Sequence, residues 1–221
     1  MVNIKLCGLK EPSHIKTAWE LGVKYIGVVF FQDSPRSLTI EHARPLLRYA
    51  PEGLVKVGLV VNPNDELIRS VCSLNVNMIQ LHGSETIERV KQIKDASGLP
   101  VIKAVGLGVR EDLTKVDHFA KVADQILIDA KPNANSNLPG GNGLSFDWEL
   151  IKNNCWKFPW FLAGGLHENN VVEALKKTDA RQIDLSSGVE DKDGRKDINK
   201  IVKFMQKVKE YEEFHSATKQ N

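Results

Sequence analysis

The sequence predicts an α/β protein, a closed (β/α)8 (TIM) barrel built as one domain over residues 1–221. Short runs rich in valine, isoleucine and leucine alternate with amphipathic helical runs, eight of each, and no proline-, glycine- or serine-rich linker divides them. Strict alternation implies parallel strands joined by right-handed crossovers. An open doubly wound sheet is the alternative, but eight units in a chain of this length favour closure.

The eight predicted strands are apolar runs of the kind that parallel sheets bury on both faces. They cover residues 3–6, 25–29, 54–60, 78–81, 101–105, 125–128, 160–163 and 182–185. The predicted helices cover residues 12–21, 39–47, 63–74, 85–96, 111–121, a short stretch after Trp148, 168–176 and 197–211. We expect Pro12 and Pro63 in first helical turns, where a missing N–H costs little.

The composition argues against a disordered, a nucleic-acid-binding or a membrane protein. Hydrophobic residues make up 42% and charged residues 26%, which argues against disorder. The net charge of +2 comes without a basic run, so we expect no nucleic-acid partner. No apolar run is long enough to span a membrane, and the N-terminus does not read as a signal peptide. We therefore expect a cytoplasmic protein, in keeping with its three widely separated cysteines.

Reacting groups of a (β/α)8 barrel lie at the C-terminal ends of its strands, which selects a short set of candidates. The polar and glycine positions at those ends are Cys7, Asn62, His82, Gly106, Asp129, Gly164, Gly165, Ser186, Ser187 and Gly188.

Two glycine-containing turns follow the last two strands. Ala163-Gly164-Gly165 ends strand seven, and Ser186-Ser187-Gly188 ends strand eight. Glycines let backbone N–H groups approach an anion closely, and these two loops commonly hold phosphate in this fold. Tight turns without a ligand are the alternative. Two adjacent turns at this end favour a small phosphorylated ligand.

Cys7 ends strand one and is a candidate base or nucleophile, although a lone cysteine is also a common small core residue. A free thiol is mostly protonated at neutral pH, so we expect a neighbouring charge to lower its pKa. Lys5 shares a strand face with Cys7. If that face is interior, Lys5 needs a buried partner, and Asp184 on the adjacent strand eight is the candidate.

Asp129 ends strand six and can serve as a general acid. The alternatives are a helix cap or an ion pair with Lys131. The following stretch, residues 132–145, is longer than a simple connector and is a candidate cover for the site.

Arg36 lies in the loop after strand two, where its planar fork would suit a carboxylate; a solvated loop charge is the alternative. His82 ends strand four and is a candidate catalytic or pocket imidazole, with a hydrogen-bonded core histidine as the alternative. We expect structural roles for Cys72, Cys155 and the four tryptophans.

With these positions in place, the chain resembles the phosphoribosylanthranilate isomerase family of tryptophan biosynthesis. The segments that carry the resemblance are Lys5-Leu6-Cys7-Gly8, residues 27–31 with Ser34-Pro35-Arg36, Val57-Gly58 with Val61-Asn62-Pro63, Gln80-Leu81-His82-Gly83, Ile128-Asp129-Ala130-Lys131, Gly140-Gly141-Asn142-Gly143 with Phe146-Asp147-Trp148, residues 162–166, and residues 184–190 with Gly194 and Lys196-Asp197. Each is weak alone, but their order and spacing are specific.

The resemblance implies a ribulose-phosphate-binding barrel that performs an Amadori rearrangement of N-(5-phosphoribosyl)anthranilate without cofactor or metal. It implies Cys7 as general base and Asp129 as general acid. Arg36 would face the anthranilate carboxylate, and the two glycine turns would hold the phosphate. The chain departs from the family pattern at Asn142 and Leu144, where we expect threonine and lysine.

Two other functions compete with this one. The first is a histidine-pathway phosphoribosyl isomerase of the same barrel group, but that family resembles a doubled half-barrel and has aspartate where Cys7 stands here. The second is a catalytically inactive phosphosugar-binding barrel, which the presence of both Cys7 and Asp129 disfavours. The sequence leaves the oligomeric state open between monomer and homodimer.

Overall fold

The computed structural model describes residues 1–131, 140–141 and 143–218, and within them eight parallel strands form a closed barrel. The strands are paired in chain order, and β8 pairs with β1 to close the ring, with Asp184 beside Lys5. Their bounds are β1 Asn3–Cys7, β2 Tyr25–Val29, β3 Val55–Val60, β4 Met78–Leu81, β5 Val101–Leu107, β6 Gln125–Ala130, β7 Trp160–Leu162 and β8 Gln182–Leu185. The predicted closed barrel is confirmed.

Helices follow the strands around the outside. They are α1 Pro12–Glu20, α2 Ile40–Tyr49, α3 Asp65–Cys72, α4 Ile87–Ser97, α5 Leu113–Phe119, α6 Val171–Thr178 and α7 Ile198–Thr218. Short 3-10 turns lie at Arg110–Asp112, Trp148–Leu150 and Ser187–Val189. The 3-10 turn at Trp148–Leu150 takes the place of the helix after β6. A short helix was predicted there.

Local side-chain chemistry fixes where several helices begin. Thr39, Asn64 and Thr86 each accept a hydrogen bond from the backbone N–H three residues later and so cap α2, α3 and α4. Pro12 stands in the first turn of α1, as expected. The expectation for Pro63 is wrong, because Asn64 is the cap and Pro63 precedes the helix.

The core has an outer and an inner layer. Outward-facing strand residues pack against the helices in one large cluster. Inside the barrel, side chains that include Val57, Ile102, Leu127 and Phe161 form a second apolar cluster. Because the interior is packed, access to the functional end comes from the C-terminal mouth.

The four tryptophans differ in their surroundings. Trp148 is buried, and the rings of Trp156 and Trp160 meet edge to face with centroids 5.2 Å apart. Trp19 is 43% exposed and lies at the surface, with its ring next to Gly53. In the part of the chain that the structure describes, no helix has the length and apolarity needed to cross a membrane.

Candidate active site

An open cavity lies at the C-terminal mouth of the barrel. The predicted site residues that line it are Cys7, Arg36, His82, Asp129, Gly164, Gly165, Ser186 and Ser187. The strand-end candidates Asn62, Gly106 and Gly188 do not line it. Of these, Gly188 belongs to the predicted phosphate turn. It lies so close to the carbonyl oxygen of Leu166 that a Cβ there would clash with it.

Cys7 lies beside a buried ion pair. Lys5 is fully buried, and its Nζ donates a hydrogen bond to Asp184 Oδ1 at 2.9 Å, as the shared strand face predicted. Gly27 on β2 pairs with Cys7. A Cβ at Gly27 would stand 2.8 Å from Cys7 Sγ and 3.2 Å from Lys5 Nζ. Glycine at this position therefore makes room for the thiol and the ammonium together.

The expected lowering of the Cys7 pKa is wrong. Burial of the thiol raises its pKa above the ordinary value, and the Asp184 carboxylate adds to the rise. Lys5 and Lys196 act in the opposite direction but do not overcome burial. Burial also pulls down the pKa of Lys5, yet Asp184 and Cys7 raise it above its ordinary value, so the ammonium stays charged. Lys5 thus stabilises the Cys7 thiolate, but the protonated thiol remains the predominant form.

Asp129 is buried near the end of β6, and each of its carboxylate oxygens has a close polar neighbour. Its Oδ1 accepts a hydrogen bond from the backbone N–H of Ala130 at 2.8 Å, and its Oδ2 lies 3.3 Å from His82 Nε2. Lys131 does not pair with it: the Lys131 ammonium lies 3.5 Å from Asp112 instead. The ion-pair alternative for Asp129 is therefore wrong.

The imidazole of His82 is held by the buried side-chain amide of Gln80. Its Nδ1 lies 2.8 Å from Gln80 Nε2, and Gln80 is fully buried inside the barrel. In the described part of the chain Nε2 has no hydrogen-bond partner, although Asp129 Oδ2 lies 3.3 Å away. Gly140 covers Nε2 so closely that any larger residue there would clash. The imidazole is therefore a wall of the cavity, fixed next to Asp129.

Arg36 is not a solvated loop charge, so that alternative is wrong. Its side chain is 10% exposed and forms a two-point ion pair with Glu190, with Nε and Nη2 each 2.7 Å from a carboxylate oxygen. Lys196 Nζ lies 2.5 Å from the same carboxylate. Sequence reasoning assigned no role to Glu190 or Lys196, although both stand in segments that carry the family resemblance.

The two glycine turns form another part of the cavity wall. Gly164 and Gly165 both have positive φ, +86° and +59°, which favours glycine there. Ser186 Oγ donates to the carbonyl oxygen of Cys7 at 3.1 Å, and Ser187 opens the 3-10 turn after β8. Glycine backbone and serine hydroxyls at this edge suit a phosphate group.

An apolar strip lines the cavity on the side of Cys7. It consists of Val29, Phe31, Leu59 and Val61, which pack in one cluster with Cys7. A flat aromatic ring would find apolar contacts there. Over residues 1–131, 140–141 and 143–218, no group of three or more histidine, cysteine or acidic side chains is arranged to hold a metal ion.

The stretch predicted to cover the site lies largely outside the described residues, at 132–139 and 142. Asn142, one of the two departures from the family pattern, falls there too. Leu144, the other departure, lines the cavity.

The model of the N-(5'phosphoribosyl)anthranilate (PRA) isomerase family matches residues 4–207. An N-(5'-phosphoribosyl)anthranilate isomerase from Cereibacter sphaeroides is 47% identical over 206 residues, which cover 93% of this chain and 97% of that protein.

Solved structures agree with that match. Monomers of the dimeric phosphoribosylanthranilate isomerase from Thermotoga maritima superpose with a TM-score of 0.81 at 33% identity, covering 95% of this chain and 99% of theirs. A phosphoribosyl anthranilate isomerase in complex with reduced 1-(o-carboxyphenylamino)-1-deoxyribulose 5-phosphate gives 0.82 at 32% identity, with the same coverage. The chain therefore belongs to the N-(5'-phosphoribosyl)anthranilate isomerase family.

Proposed function

We propose that Cys7 is the general base and Asp129 the general acid of this isomerase. The enzyme converts N-(5-phosphoribosyl)anthranilate to 1-(o-carboxyphenylamino)-1-deoxyribulose 5-phosphate, an Amadori rearrangement in tryptophan biosynthesis. One observation carries the assignment: Cys7 is the last residue of β1, Asp129 is the last but one of β6, and both line the same cavity. A base and an acid in one cavity can act on different atoms of one bound sugar.

The chemistry divides between the two groups. Asp129 donates a proton to the furanose ring oxygen, the bond between C1 and that oxygen breaks, and the nitrogen lone pair forms a Schiff base at C1. The Cys7 thiolate then takes the proton from C2, and the C–H electrons form the C1–C2 double bond of an enolamine. Tautomerisation of the enolamine gives the ketone. Each proton transfer to a positioned side chain contributes about 10²–10⁴ in rate.

The remaining lining residues suit the other parts of this substrate. Arg36 brings a buried cation for the anthranilate carboxylate, and the apolar strip of Val29, Phe31, Leu59 and Val61 would lie against the aromatic ring. The turns with Gly164, Gly165, Ser186, Ser187 and Gly188 would hold the phosphate. His82 would contact the sugar from its place beside Asp129.

We infer a cytoplasmic enzyme whose partner is a small phosphorylated substrate, with no nucleic-acid or membrane partner, acting as monomer or homodimer. Cys7, Cys72 and Cys155 are all free thiols, which supports a reducing compartment.

The test separates turnover from binding. Freshly made phosphoribosylanthranilate is mixed with the wild-type protein, and the loss of anthranilate-type fluorescence is followed. Binding of the reduced product is measured in parallel. The proposal expects catalytic decay together with binding. Binding without decay would favour an inactive phosphosugar-binding barrel. If folded protein shows neither decay nor binding, the histidine-pathway substrate is tested next.

A further inference from the structure

The Arg36 guanidinium is held from behind by a buried carboxylate. Glu190 accepts from Nε and from Nη2 of Arg36, both at 2.7 Å, and its side chain is only 6% exposed. Arg36 lines the cavity, whereas Glu190 does not. Nη2 also donates to the carbonyl oxygen of Gly141 at 3.3 Å, and these contacts fix the plane of the guanidinium. Nη1 is left for a ligand on the cavity side, with Gly141 so close that a Cβ there would stand 2.8 Å from it.

The Glu190 carboxylate also pairs with a second basic side chain, Lys196. Lys196 Nζ lies 2.5 Å from Glu190 Oε1 and is almost as buried, with 3% of its side chain exposed. Two basic side chains thus share one carboxylate. Burial lowers the pKa of Lys196 and Glu190 opposes that fall, so the cluster carries one excess positive charge while Lys196 stays protonated. Because Arg36 is the member that reaches the cavity, the excess charge is presented there. Such an arrangement attracts an anionic ligand more strongly than a balanced pair does.

Lys196 extends the cluster to the turn after β8. Its Nζ donates to the carbonyl oxygen of Ser186 at 2.9 Å and to Ser186 Oγ at 3.1 Å. Ser186 Oγ in turn donates to the carbonyl oxygen of Cys7. Hydrogen bonds therefore run without a break from Arg36 through Glu190, Lys196 and Ser186 to the backbone of Cys7. This links the residue assigned to the carboxylate with a turn assigned to the phosphate.

We propose that Glu190 and Lys196 are positioning residues for substrate recognition: Glu190 orients Arg36 toward the substrate carboxylate, and Lys196 couples that orientation to the Ser186 turn. The proposal rests on the proposed function, since it takes the carboxylate of the anthranilate ring as the ligand of Arg36. Neither residue needs to touch the substrate.

The test uses two ligands that differ in one group, the reduced product and its aniline counterpart without the ring carboxylate. Wild-type protein is expected to bind the carboxylate-bearing ligand more tightly. Glu190→Gln is expected to lose about tenfold or more of that preference, because charge-assisted hydrogen bonds of this kind are strong, while affinity for the aniline ligand changes less than threefold. KM for the substrate should rise with kcat little changed.

A double-mutant cycle separates positioning from general destabilisation. In an Arg36→Met background, Glu190→Gln should produce no further loss of carboxylate preference. Glu190→Asp should restore part of the preference, and Lys196→Met should raise KM in the same direction. The control is Asp124→Asn. It removes an ion-paired carboxylate beside the start of β5, where Asp124 contacts Lys94 and Val101, and should leave the preference intact.

Two results would overturn the proposal: equal losses for both ligands in Glu190→Gln, or an unchanged preference in Glu190→Gln and Lys196→Met. If Glu190→Gln does not fold, Lys196→Met decides in the same way, and Glu190→Asp is expected to lose only part of the preference. If the proposed function is wrong, the wild-type protein will not turn over the substrate. Wild-type turnover with an unchanged preference in the variants contradicts only the positioning role.

Discussion

Asp129 Oδ2 lies 3.3 Å from Nε2 of His82, and this contact joins the acid on β6 to the imidazole on β4 at the mouth of the barrel. Gln80 fixes the other ring nitrogen from inside the barrel. The backbone N–H of Ala130 fixes the other carboxylate oxygen. The hydrogen bond from Ala130 therefore orients the carboxyl group before a substrate arrives, which is the preorganisation that proton transfer requires.

Asp129→Asn should lower turnover by about 10²-fold or more, because the amide cannot donate the acid proton. The amide oxygen can still accept from Ala130 N–H, so folding should be unchanged. Steady-state kinetics and thermal unfolding check this. Turnover within threefold of the wild type, from folded protein, would remove Asp129 from the acid role.

Arg36→Met should raise KM by about tenfold or more with a smaller change in kcat, because the lost cation binds the substrate away from the reacting carbon. Arg44→Met is the matched control. Arg44 is an arginine on α2 that donates hydrogen bonds to Ser73, outside the cavity, and its loss should leave KM unchanged. A fall in kcat with KM unchanged in Arg36→Met would contradict a role in carboxylate binding.

The pH dependence of kcat/KM should report the buried thiol. Burial raises the pKa of Cys7, so the thiolate that acts as base is a minor form at neutral pH and becomes more abundant as pH rises. We expect this in Asp129→Asn, where residue 129 carries no acid proton and the base alone sets the profile. The residual kcat/KM of that variant should increase through neutral into alkaline pH, by nearly tenfold per unit while the thiol is mostly protonated. The measurement is a profile of initial rates. A plateau already reached at pH 6 would contradict the raised pKa.

Asp112 should contribute acid-sensitive stability. Burial opposes ionisation, but Lys115 and the backbone N–H groups of Gly108 and Val109 lower the pKa of Asp112 to about 2. A carboxyl with a depressed pKa stabilises the fold above its ordinary pKa, and this contribution is lost as pH falls from about 4 toward 2. Asp112→Asn should therefore cost about 2 kcal/mol at pH 7.

The difference between Asp112→Asn and the wild type should shrink as the pH approaches 2. Urea unfolding of both proteins at pH 7 and pH 3 measures it. A cost that is the same at both values would mean that the ionised carboxylate does not supply the stabilisation.

The closed barrel and most of the cavity were predictable because strand ends of this fold meet at one place. Strands β2, β4 and β8 agree with the predicted residues at both ends. Strand β5 runs two residues further than predicted, to Leu107. Gly106 reads as a strand end in sequence, yet it pairs with Asp129 and a Cβ there would stand 3.2 Å from Lys131 Cα. Tertiary packing, which the sequence pattern does not contain, therefore sets that strand end.

The site was predicted less completely than the fold. The family resemblance from the motifs is confirmed, and so is the partnership of Lys5 with Asp184. The balance between burial and the Lys5 charge at Cys7 was not predictable, because it depends on how completely the thiol is enclosed. The Arg36–Glu190 pair was missed because its members are 154 positions apart and on different loops.

The most direct test of the account is the loss of substrate fluorescence in three proteins measured together: wild type, Cys7→Ala and Cys155→Ala. Cys155 is an exposed thiol outside the cavity and is the matched control. We predict decay in the wild type and in Cys155→Ala, and a rate at least about 10²-fold lower in Cys7→Ala with folding unchanged. Near-full activity in Cys7→Ala would show that Cys7 is not the base.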